Sequence, residues 1–236
     1  PINYVADFGG GAMFLVVGIL SALLHARATG AGQVVDAAML DGAAYLGSMT
    51  RALMADGQWS DKREANLLDG GAPNYRCYAC ADGKYVAIGA LEPKFWTELL
   101  VVLGLDADSV PSPYERAQWD ACAEALAARF AARSRDEWAE LFAGTDACVT
   151  PVLTLAEAPK HPHTRNYIRV DGATESDAAP AAESAIMPGP APRFSVTPAS
   201  PHDAATTPGA DTEALLAEAG YSAADQSRLR AAGAID

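Results

Sequence analysis

Positive charge is scarce in this chain. Its 17 Lys and Arg face 30 Asp and Glu across 236 residues, a formal net charge of −13 at pH 7. That imbalance argues against nucleic acid and against an anionic membrane surface as partners. A secretory h-region is missing at the start, and the apolar run over residues 12–24, closed by His25 and Arg27, is too short to span a bilayer. A buried helix is expected there, and no membrane partner. Cysteine is sparse too, with four residues, which suits a reducing, cytoplasmic setting. Cys77 and Cys80 form a Cys-x-x-Cys with no second copy, inside a strand-like run where residues three apart face opposite sides. They are poorly placed to share a metal or to cross-link. His161 and His163 flank Pro162 without a third ligand nearby, short of the three or four that zinc needs. No metal site is expected.

Half of the residues are apolar, enough for one or two compact domains with real cores. Residues 10–28 read as a helix that is hydrophobic nearly all round, hence buried, and stopped by Gly30 and Gly32. Residues 33–40 read as a short strand, after which Asp41 caps a helix through Tyr45, Leu46, Met49 and Leu53 to about Met54. Met39, Met49 and Met54 suit either a plain core or the adaptable wall of an acyl pocket. Residues 57–74 are polar and glycine-rich, as a linker between domains would be. A hairpin follows, with Asp82-Gly83 as its turn between residues 75–81 and 84–90. Pro93 then opens a helix through Trp96 and Leu100. Residues 114–133 read as an amphipathic helix on Trp119, Leu126 and Phe130. Ser134 with Glu137 makes a capping box for a helix through Trp138, Leu141 and Phe142. Residues 148–153 read as a strand, and Thr154 with Glu157 as a short helix. Residues 172–210 read as an extended strap, and residues 211–235 as two short helices around Gly220.

The stretch richest in chemistry is Asp7-Phe8-Gly9-Gly10-Gly11, which runs directly into an apolar helix. Asp7 there is either an ordinary N-cap or a reactive carboxylate. In the second case the glycines let a ligand approach the main chain, and free amides at the helix start hold an anion or a developing oxyanion.

The run from Asp7 to Phe14, with Gly18-Ile19-Leu20 after it, resembles the α-methylacyl-CoA racemase branch of the family III CoA-transferases, the CaiB/BaiF family. Two further blocks resemble the same enzymes in register: Asn66-Leu67-Leu68-Asp69-Gly70-Gly71-Ala72-Pro73-Asn74-Tyr75, and Ala81-Asp82-Gly83-Lys84-Tyr85 continuing to Leu91-Glu92-Pro93-Lys94-Phe95. The ending Leu229-Arg230-Ala231-Ala232-Gly233-Ala234-Ile235 is similar as well.

The resemblance implies an α/β fold, the C-terminal part of a family III CoA-transferase. Residues 1–56 belong to the large Rossmann-like domain, 57–74 to a linker, 75–170 to a small α/β domain, 171–210 to an extended return, and 211–236 to helices packing back on the large domain. It implies an intact enzyme that racemises 2-methylacyl-CoA thioesters by proton transfer through an enolate. Asp7 carries the proton on one face, and Glu92 orients a histidine on the other. Gly9, Gly10, Gly11, Met39, Met49, Leu68 and Tyr75 are the implied substrate-binding residues. CoA enters as part of the substrate, with no other cofactor, and two subunits interlock as a homodimer. The family's N-terminal half, with its histidine and most of its cationic CoA contacts, would lie before Pro1, so this stretch alone is expected to be inactive. Two alternatives stand beside this: a CoA-transferase with Asp7 as nucleophile, or a non-catalytic fragment or half of a split enzyme. The glycine triplet after Phe8, and the lack of a long glycine run at Gly89-Ala90-Leu91-Glu92-Pro93, favour the racemase branch.

Overall fold

In the computed structural model, residues 2–164, 168–170, 186–200 and 208–235 are described. The apolar run near the start does become a helix, but one that begins earlier than expected. A π-helical segment, Tyr4–Met13, leads without a break into α1, Phe14–Thr29. The amides of Asp7 and Phe8 both turn back to the Asn3 carbonyl at 3.2 Å, the wide turn that starts a π-helix. Gly30, with φ +76°, closes α1 in the left-handed conformation that glycine adopts cheaply.

Two expectations fail at this helix. It is not buried: α1 contains no buried residue, and Leu24 is 67% exposed. Nor does its length exclude a membrane, because Tyr4–Thr29 is one 26-residue helix that contains an 18-residue stretch of mean hydropathy 1.9. By length and composition alone it is long enough to cross.

The strand expected over residues 33–40 is also absent. Val34 is 94% exposed, and no described strand pairs with the segment. Apolar β-branched residues favour a sheet only where a neighbour accepts their hydrogen bonds. The helix expected next is broken at Gly47 into α2, Met39–Leu46, and α3, Ser48–Ala55. Ala38 occupies the N-cap, and Asp41 sits in the first turn rather than capping it.

Downstream the chain buries what it should. β1, Tyr75–Ala79, and β2, Tyr85–Gly89, form the hairpin, with Tyr75 opposite Gly89 and Ala79 opposite Tyr85. β3, Val149–Pro151, adds antiparallel to β2 and gives the order β1-β2-β3. α4, Pro93–Leu103, α5, Trp119–Phe130, and α6, Arg135–Phe142, complete this part. α5 is shorter than the sequence suggests, because residues 116–118 form a 3₁₀ turn ahead of it. One sheet face supplies Tyr78, Val86 and Ile88 to a core with Leu99, Leu103, Cys122, Leu126, Phe130, Trp138 and Phe142. Phe130 stacks on Tyr78 at 5.2 Å and meets the Trp138 ring edge-on at 5.4 Å, while the Trp138 indole donates to the Phe130 carbonyl. The Ser134–Glu137 capping box forms in full.

Arg135, buried at the start of α6, ties three pieces together. Its amide donates to Asp82 in the hairpin turn, its Nε to Asp136, and its Nη1 to the Val152 carbonyl at the end of the sheet. Cys77 is exposed and Cys80 buried, opposite environments as their spacing implies, and neither is bonded to another cysteine.

The chain divides into two compact units, residues 1–152 and 153–236. In the second, β4, Ile168–Val170, pairs antiparallel with β5, Ile186–Pro188, a strand inside the stretch read as an extended strap. The rest of that strap at 172–185 and 201–207 lies outside the described residues. Thr154 and Glu157 cap one another ahead of a 3₁₀ turn, Ala158–Lys160. α7, Thr212–Glu218, and α8, Ala223–Ala231, flank Gly220 at φ +91°, with Ser222 and Asp225 forming a second capping box.

Candidate functional site

Asp7 stands in the first turn of the π-helical segment, with its side chain exposed. It is neither the N-cap, a position held by Asn3, nor a carboxylate followed by free glycine amides. Gly9, Gly10 and Gly11 lie inside the helix, where their N–H groups belong to its ladder. Their use is steric. A Cβ on Gly10 would stand 2.6 Å from the Ala43 amide nitrogen, and one on Gly42 only 1.8 Å from the Gly10 carbonyl oxygen. Gly10 and Gly42 are the buried residues of their helices, so α2 crosses the π-helical segment backbone to backbone. Met39 lies beside Gly11, and Leu46 beside Gly9. Met39, Met49 and Met54 all remain partly exposed, so plain burial in this chain's core is not their role.

A second group of expected residues gathers on the hairpin. Glu92 holds the N-cap of α4 in extended backbone, and its side chain makes no capping hydrogen bond. Its carboxylate is exposed and is not spent on the helix end. Its charge reaches two neighbours. Burial first, and then Glu92, raise the Tyr114 phenol above its ordinary value. Burial, then Glu92, Asp146 and Glu98, push the Cys148 thiol up. Cys148 adopts φ +53°, a left-handed conformation uncommon outside glycine, and its carbonyl accepts from the Gly89 amide. On the sheet face away from the core, Gly70, Tyr75, Cys77, Ala87, Gly89 and Cys148 line an open concavity of about 480 Å³.

Between these two groups runs an irregular segment, residues 57–74, held by two side chains. Asp69 accepts hydrogen bonds from the Asn66 amide at 2.8 Å, the Asn66 Nδ2 at 2.7 Å, the Gly71 amide at 3.1 Å and the Ala65 amide at 3.3 Å. Asn66, 1% exposed, accepts from the Ser60 amide and donates to the Ser60 and Lys62 carbonyls. Desolvation raises the Asp69 pKa, yet the Asn66 side chain and the Asn66, Ala65 and Gly71 amides outweigh it, and the carboxyl ends below its ordinary value. Leu67 and Leu68 are left exposed on the outside of this loop. Neither Asn66 nor Asp69 is among the site residues expected from the sequence. Their three-residue spacing in a turn-rich segment is the available signal, since Asx side chains there bond nearby backbone.

The structure thus brings Gly9, Gly10 and Gly11 together on the segment that carries Asp7, with Met39 beside Gly11, and it places Tyr75 with Gly70 on one concavity whose lining does not include Leu68. Among the described residues no hydrogen bond or ion pair joins Asp7 to Glu92. No group of three His, Cys, Asp or Glu side chains there is arranged to hold a metal.

Solved structures share the fold, and known proteins are similar in sequence. The crystal structure of Rv3272 from M. tuberculosis superposes with a TM-score of 0.56 over 80% of this chain and 49% of that one, at 18% identity. A point mutant of the same protein gives 0.56 over 84% and 51%, at 21% identity. These carry the fold alone. In sequence the chain is 42% identical over 224 residues to alpha-methylacyl-CoA racemase of Mus musculus, and 40% identical to that of Homo sapiens. Both matches cover 94% of this chain and 56% of the relative, so the chain spans little more than half their length. Residues 2–212 match CoA-transferase family III. With its fold and its sequence in agreement, the chain belongs to CoA-transferase family III.

Proposed function

We propose that the protein works as a racemase of 2-methylacyl-CoA thioesters, removing the α-proton from one face and returning one to the other through an enolate. The observation that carries this reading is 42% and 40% identity, over 94% of the chain, to two proteins named alpha-methylacyl-CoA racemase. The reaction needs an acid/base group on each face and donors for the enolate oxygen. Asp7 serves one face, as an exposed carboxylate on a helix whose position is fixed by the Gly10–Gly42 crossing. Glu92, free of its helix end, orients and stabilises a histidine on the other face, as the family resemblance implies. A carboxylate is a weak base toward carbon, so enolate stabilisation must supply the difference. The Gly9–Gly11 amides are engaged in the helix and are not those donors. Gly9, Gly10 and Gly11 therefore act on the substrate indirectly, by setting the backbone, while Met39, Met49, Leu68 and Tyr75 supply apolar surface for the acyl group.

The substrate brings its own CoA, and no further cofactor enters. The exposed apolar side chains of Tyr4–Thr29 are covered by protein in an interlocked homodimer, in the cytoplasm, rather than by lipid. Asp7 inside that stretch and the backbone-to-backbone crossing by α2 favour a protein environment.

Asp7→Asn in the full-length protein is expected to lower α-proton exchange of a 2-methylacyl-CoA in D₂O by about 10³-fold. Unchanged exchange would refute Asp7 as a proton carrier. The name of the matched family supports a second reading, in which Asp7 attacks the thioester carbonyl, expels CoA thiolate and forms a mixed anhydride. Incubation with acyl-CoA and hydroxylamine separates the two: a hydroxamate at Asp7 marks the transferase, and exchange without hydroxamate marks the racemase.

A further inference from the structure

A loop with no regular secondary structure ordinarily fluctuates, because little beyond its ends holds it. The segment at residues 57–74 is instead bonded internally, largely through one carboxylate. Asp69 collects three backbone amides and one side-chain amide, from Ala65, Asn66 and Gly71. Hydrogen bonds from amides to an ionised oxygen are stronger than neutral ones. Asn66 extends the same network to Ser60 and Lys62, and its carbonyl accepts from the Ala72 amide. The Ala72 carbonyl in turn accepts from the amide of Tyr75, the first residue of β1. Gly71 has no room for a side chain, since a Cβ would stand 2.7 Å from the Asn66 amide nitrogen and 2.8 Å from that of Ala65. Gly70 takes φ +92° and turns into the concavity beside Tyr75. Arg116, from the segment before α5, donates to the Ala65 carbonyl and anchors the far side. So much internal bonding leaves two leucines, Leu67 and Leu68, on the surface, within three residues of Gly70, which lines the concavity together with Tyr75, Cys77, Ala87 and Gly89. Were the network only a means of closing the loop, the apolar residues would be expected beneath it.

We propose that Asp69 is a positioning residue that fixes the loop so that Leu68, Gly70 and Tyr75 stand ready at the seat of the acyl chain. The proposal rests on the acyl-CoA reading of the function. Asp69 touches no reacting atom. It acts by keeping the apolar seat preformed, so that ordering it is not charged against each binding event.

The test uses the full-length protein, with acetyl-CoA and dodecanoyl-CoA as binding probes in calorimetry, beside racemisation kinetics on a 2-methylacyl-CoA. Asp69→Asn keeps the size of the side chain but turns one acceptor into a donor facing amides. It is expected to weaken dodecanoyl-CoA about tenfold, to leave acetyl-CoA within about twofold, and to raise KM with kcat nearly unchanged. Leu68→Ala, which leaves the network intact, is expected to show the same chain-length selectivity, and it decides the matter if Asp69→Asn does not fold. Equal losses for both thioesters, or no change in either, would overturn the proposal and leave Asp69 as a stabiliser of the loop. A wild-type protein that binds dodecanoyl-CoA but exchanges no α-proton would refute the racemase reading alone, because the chain-length comparison is still read from binding. Failure to bind either thioester would overturn both.

Discussion

Residues 4–55 and residues 75–151 are both apolar, and they spend that apolarity in opposite ways. In the second stretch Trp138, Phe130, Leu126, Leu103 and Val86 are entirely removed from water. In the first, a 26-residue helix keeps Leu15, Val17, Ile19, Leu20 and Leu24 at the surface. Its tight contact is instead polar in character, glycine backbone on glycine backbone. Hydrophobicity alone therefore does not say where a helix is buried. A helix apolar all round announces that something covers it, whereas an apolar sheet face with three amphipathic helices at hand identifies its own cover.

The sharpest way to break this contrast is to truncate equivalent bulk on both sides of it. Trp138→Ala removes a fully buried indole and its hydrogen bond to Phe130, and is expected to cost about 3–5 kcal/mol in denaturant unfolding. Leu20→Ala, more than half exposed, is expected to cost within about 0.5 kcal/mol in this chain studied alone. Comparable costs would mean that α1 is buried after all. Gly42→Ala comes next: a methyl 1.8 Å from the Gly10 carbonyl forces the helices apart, at about 1–3 kcal/mol. A neutral outcome would show that the crossing is loose. Ser134→Ala removes the capping box of α6 and is expected to cost about 1 kcal/mol, measured by the shift in unfolding midpoint.

Thiol labelling at neutral pH refines the comparison within the hairpin part. Cys77 and Cys148 are exposed, whereas Cys80 and Cys122 are buried, with burial pushing the Cys122 thiol up to about 11. Mass spectrometry after brief alkylation is expected to find the first two modified and the last two intact, and rapid labelling of Cys122 would contradict its place in the core.

The smallest effect is on acid stability. The folded Asp69 carboxyl lies below its ordinary value, so its contribution is fully present above the unfolded pKa of about 3.9 and is lost as pH falls through the lower folded value. Protection of the Asn66 and Gly71 amides against hydrogen exchange, after correction for the intrinsic pH dependence of exchange, is expected to fall as pH drops through that acidic window and to be flat above it.

Local chemistry was legible where the partner sits nearby in sequence. The Asp82-Gly83 turn, the Ser134–Glu137 box, Pro93 at the start of α4 and Gly220 between the last helices are each decided within four residues. What was illegible depends on something distant. The residues after Gly32 look like a strand but have none to pair with among the described residues, and no local pattern can report that. The expected helix over residues 41–54 breaks at Gly47, a glycine that helical spacing alone does not single out. At the candidate site, the sequence around Asp7 and Glu92 singles them out, whereas the close backbone contact made by Gly10 is not visible in it. Glycines before an apolar run look like an anion cradle whether they free their amides or admit another helix. Only the position of Gly42, more than thirty residues on, tells these uses apart.

That crossing has a consequence for the backbone on which Asp7 stands. Asp7 lies three residues before Gly10, less than one turn of the helix away, on a segment that meets α2 with no side chain between them. Side chains that pack as cushions yield and redistribute error, whereas two backbones in contact do not. The backbone that carries Asp7 is therefore referenced to the main chain of α2 itself, as a tool is registered against a hard stop, and a methyl group in place of either glycine hydrogen would shift that reference.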